Sequence, residues 1–240
     1  MGTKEIGAYC LSHLINSQQE LEIDIIGVLT NDRKLGSDEL SVSQLAFQNG
    51  INNLNNLKEF LALDDVDIVI SVQYHEILKK IHLEKAKLLN VNLHMAPLPE
   101  YRGCNQFSFA ILNKDNEFGT TLHVMDSGID SGDIIAERRF PIPPDCFVDQ
   151  LYELTFRESV DLFKECLPNL ISGRFERIAQ SNIKIKKSEL HYRNEIHQLK
   201  EIQSSWDTEK ILRHVRATAM PGFPPPQLSF GERKIKFIVE

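Results

Sequence analysis

Three short runs, "IDIIGVL" (residues 23–29), "VDIVISV" (66–72) and "LLNVNLH" (88–94), are apolar almost without a break. A strand of that kind must be covered on both faces, as inside a parallel sheet with helices on either side. The segments between the runs carry apolar residues at helical spacing. Ile6, Cys10, Leu11, Leu14 and Ile15 form one stripe; Leu40, Leu45 and Ala46 form another, stopped by Gly50. Leu54, Leu57 and Leu61 make a further short face. Helix and strand alternating over short loops predict an α/β fold with a mostly parallel sheet flanked by helices.

After Gly103 the pattern changes. "NQFSFAILN" (105–113) reads as a short helix, and "GTTLHVM" (119–125) and "DIIAERRFPI" (133–142) as strands around the loop "DSGIDSGD" (126–133). Val148, Leu151, Leu154, Val160, Leu162, Phe163 and Leu167 recur at helix spacing and predict the longest helix, over 148–170. A boundary near 182–189 divides a core of residues 1–185 from a C-terminal appendage, 186–240, of short helices and a hairpin. In "QLSFGERKIKFIVE" (227–240), Gly231-Glu232 forms the turn. A lone hairpin is marginal in water, so its apolar row of Ile235, Phe237 and Val239 needs a covering surface. That surface is either a second subunit, making a homodimer, or the chain's own core.

The 240 residues carry a formal net charge of −7, which disfavours general nucleic-acid or membrane-surface binding. No apolar run is long enough for a membrane span, and "MGTKEIGAYC" lacks the layout of a signal peptide. Cys10, Cys104, Cys146 and Cys166 lie far apart, as reduced thiols of a cytoplasmic protein do, with no CxxC pair to suggest zinc or a disulfide framework.

Ligand sites in open α/β sheets lie beyond the carboxyl ends of the strands. Three loops sit there: "QYHEIL" (73–78), "HMAPLPEYRG" (94–103) and "DSGIDSGD". They offer His75, Glu76, Asn92, His94, Arg102, Asp126, Asp130 and Asp133. Asn92 and His94 share parity on one strand, so both point to one face. An amide N–H can stabilise a developing oxyanion, and an imidazole can move a proton near neutrality. With an Asp to orient the imidazole, these groups suit acyl or formyl transfer to an amine. The plain alternative is a buried, satisfied histidine. The acidic loop lacks the twelve-position calcium pattern with its terminal Glu. His123, inside a strand, is read as structural, and "KLGSDE" and "KIKK" as solvated surface.

"NLHMAPLPEYRG" followed by "GTTLHVMDSGIDSGDII" resembles the folate-dependent formyltransferases, with their N-x-H strand end, Pro-rich loop closing on Gly, and D-x-G-x-D-[ST]-G-D loop. "DIVISVQYHEIL" and "GTKEIGAYCLSHL" extend the likeness over most of residues 1–182. The resemblance implies a Rossmann-like core. It implies Asn92, His94 and Asp130 as catalytic: Asn92 polarising the formyl oxygen, His94 assisting proton removal, Asp130 positioning His94. It implies 10-formyltetrahydrofolate as co-substrate, held by Gln73, Tyr74, His75, Glu76 and Leu78 and by Asp126 and Gly128, and no metal. It also implies a cis Leu98–Pro99 bond. Two features depart from the family: Met95 follows the His where Pro is usual, and the strand that usually precedes the Gly-Thr turn is not in this sequence. Without that strand a sheet edge would be uncovered and the first helix less well held.

The N-terminus lacks the phosphate loop of the glycinamide ribonucleotide enzymes, and only a short tail follows the core. That tail, with "PEYRGCNQFSFAI", is similar to the sugar nucleotide N-formyltransferases. The resemblance thus implies a nucleotide-linked amino deoxysugar as acceptor, such as dTDP-4-amino-4,6-dideoxyglucose, for a surface polysaccharide such as O-antigen of lipopolysaccharide. The alternatives are formylation of methionyl-tRNA and a non-catalytic folate- or nucleotide-binding module. Arg102, Asn105 and Gln106 are candidates for the diphosphate, Met220 or Phe223 for the base. Arg102 could instead hold its loop, and Phe223 could be core.

Overall fold

The computed structural model describes residues 1–31, 41–184 and 188–239. "KLGSDE", Leu40, most of "KIKK" and the boundary expected at 185–186 lie outside the described residues.

The N-terminal half alternates as its periodicities predict: α1 (Lys4–Leu21), β1 (Val28–Leu29), α2 (Val42–Gln48), β2 (Asn53–Leu54), α3 (Leu57–Ala62), β3 (Ile68–Val72), α4 (Lys80–Leu83) and β4 (Leu89–His94). Leu54, expected on a helical face, belongs to β2 instead. Asn56 behind it accepts hydrogen bonds from the N–H groups of Lys58 and Glu59, capping α3 so that the helix begins later. Then follow β5 (Tyr101–Gly103), α5 (Gln106–Asn113), β6 (Glu117–Val124), β7 (Ile134–Pro141) and α6 (Val148–Ile171).

β1 pairs parallel with β2, and β3 parallel with β4. The main sheet, in the order β3-β4-β6-β7, then turns antiparallel at β4–β6 and again at β6–β7. No crossover helix separates β6 from β7, so the chain returns directly beside itself. Within the main sheet, parallel pairing is therefore confined to β3–β4.

The strand expected over 23–29 shrinks to Val28–Leu29. Ile23, Ile25, Ile68 and Ile70 line a cavity of about 590 Å³ between the two half-sheets, so residues 23–27 have no ladder partner on that side. The residues at the Gly-Thr turn bridge the gap at one end. The Gly2 N–H donates to Leu29 O at 3.1 Å, the Val72 N–H to Met1 O at 2.9 Å, and the Thr3 N–H to Val72 O at 3.1 Å. These bonds hold the start of α1.

One core cluster joins Ile6 and Cys10 of α1 to Val91 and Leu93 of β4 and to Phe163 and Leu167 of α6. Met95 is fully buried in the same cluster, which accounts for an apolar residue where the resemblance leads one to expect Pro. A second cluster is built on Phe118, whose ring meets Tyr101, Phe107 and Phe140.

The C-terminal segment comprises β8 (Glu189–His191), α7 (Glu195–Leu199), β9 (Glu201–Ile202), α8 (Thr208–Thr218), β10 (Gln227–Phe230) and β11 (Arg233–Lys236). β8 pairs parallel with β5, and Ala217 of α8 is buried in the Phe118 cluster. β10 and β11 form the expected antiparallel hairpin around Gly231-Glu232, and β9 extends it. Phe230, Ile235 and Ile238 remain at least half exposed on it. Among the described residues no helix is long and apolar enough to cross a membrane.

Phe118 is wholly buried among aromatic rings, so Phe118→Ala should cost about 3–5 kcal/mol. Urea unfolding of the two proteins measures it; a loss below about 1 kcal/mol would mean that the cluster collapses to fill the space.

Candidate active site

The site forms where β4 ends. Antiparallel register sets Asn92 opposite His123 and His94 opposite Thr121, so all four side chains share one face of the sheet. The Pro-rich loop leaving β4 is fastened to β6. The Thr121 hydroxyl donates to Ala96 O at 2.8 Å and accepts the Leu98 N–H at 3.1 Å, while the Thr120 hydroxyl donates to His94 O at 3.0 Å. The Leu98–Pro99 bond is cis, as expected.

The "DSGIDSGD" loop brings Asp130 to the same place. Asp126 Oδ1 accepts from the Gly128 N–H at 3.0 Å and from the Ser131 hydroxyl at 2.6 Å, so this carboxylate organises its own turn. Gly132 must be glycine: a Cβ there would lie 1.9 Å from Val124 O. Gln180 donates to Asp130 O at 2.9 Å and to Gly132 O at 2.8 Å, holding the loop from beyond α6. Arg102 Nε donates to Ile129 O at 2.8 Å, and the neighbouring Gly103 N–H donates to Asp130 Oδ2 at 2.9 Å.

The Asp130 carboxylate sits between two buried imidazoles. His94 Nδ1 is 3.7 Å from Oδ2, and His123 Nε2 is 3.6 Å from Oδ1. Burial pushes the Asp130 carboxyl upward, but His94 and His123, when protonated, together with the Gly103 N–H, outweigh it and hold the carboxyl well below the usual carboxylate range. His94 Nε2 lies 2.7 Å from Tyr101 O. A carbonyl only accepts, so Nε2 carries a hydrogen and Nδ1 is the nitrogen facing Asp130. A proton taken up there forms an ion pair with the carboxylate. Asn92 Nδ2 lies 3.1 Å from His123 Nε2. Asn92, His94 and Asp130 thus meet in one place, with the His123 ring between Asn92 and Asp130.

A cavity of about 150 Å³ opens beside these groups, lined by Asn92, His123 and Asp130, by Tyr74, Glu76 and Leu78, and by Asp126 and Gly128. Gln73 and His75 lie outside that lining. Gln73 accepts from Lys4 Nζ at 3.2 Å, and His75 turns to Tyr74 and to Glu76, 3.4 Å away. The Tyr74 hydroxyl donates to Glu76 at 3.1 Å; burial, then that carboxylate, raises its phenol. Of the residues considered for the acceptor, Arg102 is engaged with its loop, and Asn105 donates to Tyr192 O at 2.8 Å. Gln106 is buried, Met220 packs on the Phe118 cluster, and Phe223 is exposed.

His123, expected to be structural, lines the cavity beside Asn92, and Gln180 is a further residue of the site that the sequence does not mark. His123 enters the site through its pairing with Asn92 on the neighbouring strand, and no local pattern around residue 123 records that partner. Nothing local marks Gln180, which reaches the loop from about 50 residues away.

A strand-end amide, imidazole and carboxylate on an α/β sheet are groups whose chemistry suits acyl transfer. The chain belongs to the formyl transferase family, whose profile matches residues 6–167. Over 201 residues it is 30% identical to a methionyl-tRNA formyltransferase of Pediococcus pentosaceus, covering 78% of this chain and 62% of that protein. It is 28% identical to a GDP-perosamine N-formyltransferase of Brucella melitensis, over 92% of this chain and 83% of the other. The N-formyltransferase of Helicobacter canadensis, solved with folinic acid and dTDP-3-aminofucose, superposes with a TM-score of 0.77 at 26% identity. That match covers 98% of this chain and 84% of the other. The chain therefore spans less than two thirds of the Pediococcus protein and more than four fifths of the other two.

Because the folded carboxyl of Asp130 lies below its ordinary value of 3.8, its contribution to stability is full above that value. It fades as pH falls from there through the lower folded value. Asp130→Asn should therefore be less stable than the parent near neutrality, with the difference closing below about pH 4. Urea midpoints across that range decide it; a difference independent of pH would show that the carboxylate is not stabilised by its neighbours.

Proposed function

We propose that this chain transfers a formyl group from 10-formyltetrahydrofolate to the amine of a nucleotide-linked amino deoxysugar, with dTDP-4-amino-4,6-dideoxyglucose as the type of acceptor. The product would serve a surface polysaccharide such as O-antigen. The observation that carries this reading is the meeting of Asn92, His123 and Asp130 at one cavity, with His94 paired to Asp130 behind it. The sugar is favoured because the Brucella and Helicobacter relatives match along 92% and 98% of this chain, against 78% for the Pediococcus enzyme.

The folate supplies an activated one-carbon acyl group. Asn92 directs an amide N–H at the formyl oxygen as negative charge develops there. The amine's proton leaves toward Asp130 and is taken up at His94 Nδ1, the nitrogen that faces the carboxylate. As the new C–N bond forms, the bond from the formyl carbon to N10 of the folate breaks, and that nitrogen takes a proton as tetrahydrofolate leaves. Tyr74, Glu76, Leu78, Asp126 and Gly128 hold the pterin end, since they line the cavity beyond Asn92. The chemistry needs no metal. The acceptor would lie across the loop at Arg102 to Gln106, with exposed Phe223 available to its base. The free thiols suit the cytoplasm.

The 30% identity to the Pediococcus protein favours methionyl-tRNA formylation as the second reading. A panel of amino-sugar nucleotides and initiator tRNA, each assayed with the formyl donor, separates them. We expect turnover of a sugar nucleotide, lowered roughly 100- to 1,000-fold by Asn92→Ala. Strongly salt-dependent formylation of tRNA would establish the alternative. Folate and nucleotide binding with no turnover of any acceptor would mark a binding module.

Of the apolar row expected on the hairpin, Ile235 and Val239 are about half exposed, which supports a homodimer closed through it. Deleting 226–240 should then halve the mass measured by light scattering; an unchanged dimer would place the contact elsewhere.

A further inference from the structure

β6 carries a histidine that the mechanism above leaves without a task. His123 is almost completely buried, yet its ring reaches the edge of the cavity. The pairing of β6 with β7 slips at Leu122/His123, a bulge of the kind that re-aims a side chain. The ring is then held at both nitrogens. Nδ1 lies 2.9 Å from Val124 O, a carbonyl that can only accept, so Nδ1 carries a hydrogen. In the neutral ring Nε2 is then an acceptor, and Asn92 Nδ2, 3.1 Å away, is its donor. Asp130 Oδ1, at 3.6 Å, is too far to take that place.

This arrangement decides which way the Asn92 amide faces. Turned over, the amide would set its oxygen against the Nε2 lone pair, two acceptors in contact within a buried site. Held as it is, Asn92 spends one N–H on His123 and keeps the other for the cavity. We infer that His123 is a positioning residue for the transfer: its Nε2 acceptor orients the Asn92 amide so that an N–H, not the carbonyl, meets the formyl oxygen. The inference rests on the function proposed above.

Two substitutions and one measurement on the unaltered protein test it. His123→Phe keeps a flat ring and removes the acceptor; His123→Gln restores an acceptor near Nε2 without restoring an imidazole. His123→Phe should lower kcat roughly 10- to 100-fold while the folate KM stays within about threefold, and His123→Gln should recover most of the loss. Nitrogen NMR of the labelled imidazole at alkaline pH should place the proton on Nδ1. Equal kcat loss in both variants would reduce His123 to packing and overturn the inference, as would a His123→Phe enzyme of undiminished kcat or a proton on Nε2. Absence of turnover in the parent overturns the function proposed above, and with it the role in transfer. A proton on Nε2 in an active parent overturns the His123 contact alone.

Discussion

The antiparallel pairing of β4 with β6 is the constraint on which the site depends. It sets Asn92 against His123 and His94 against Thr121, and so gathers the polar side chains of two strands onto one face. The neighbouring pair β3–β4 is parallel, and the sheet changes direction at β4 itself. Asn92 and His94 therefore stand where strand ends from one half meet strand interiors from the other. Side chains on an interior strand are held on both sides by ladder bonds, which gives the amide and imidazole fixed positions before any ligand arrives.

Around that pairing, the loops are fixed by small polar contacts. Two threonines of β6 hold the backbone leaving β4. Gln180, Arg102 and Gly103 hold the loop that carries Asp130, a residue in the left-handed backbone region at φ 48°. The C-terminal segment reaches the same neighbourhood. β8 pairs with β5, and Tyr192 just after it accepts from Asn105. Segments that look like an appendage in the sequence thus help to hold the loop at the mouth of the cleft.

Electrostatics follow from the same arrangement. An isolated carboxylate at the burial of Asp130 would be protonated more readily than in water. A backbone N–H, and the two imidazoles when protonated, reverse that, keeping a negative charge where a departing amine proton can be received. His94, pinned by Tyr101 O at one nitrogen, can exchange a proton only at the other.

Much was already in the residues themselves. The unbroken Ile/Val runs required strands covered on both faces, and the apolar stripes required the helices that cover them. The spacing of Asn92 and His94 set both on one face, because alternation along a strand is local geometry. The tertiary structure alone decided the rest. Only Val28 and Leu29 of the 23–29 run enter a ladder, through β2, and Leu54 joins β2 because Asn56 caps the helix behind it. His123 enters the site because of its partner strand, and Gln180 clamps a loop about 50 residues away. Periodicity reports which way a side chain points along its own backbone; which strand lies opposite depends on contacts between distant segments, and no local pattern records them.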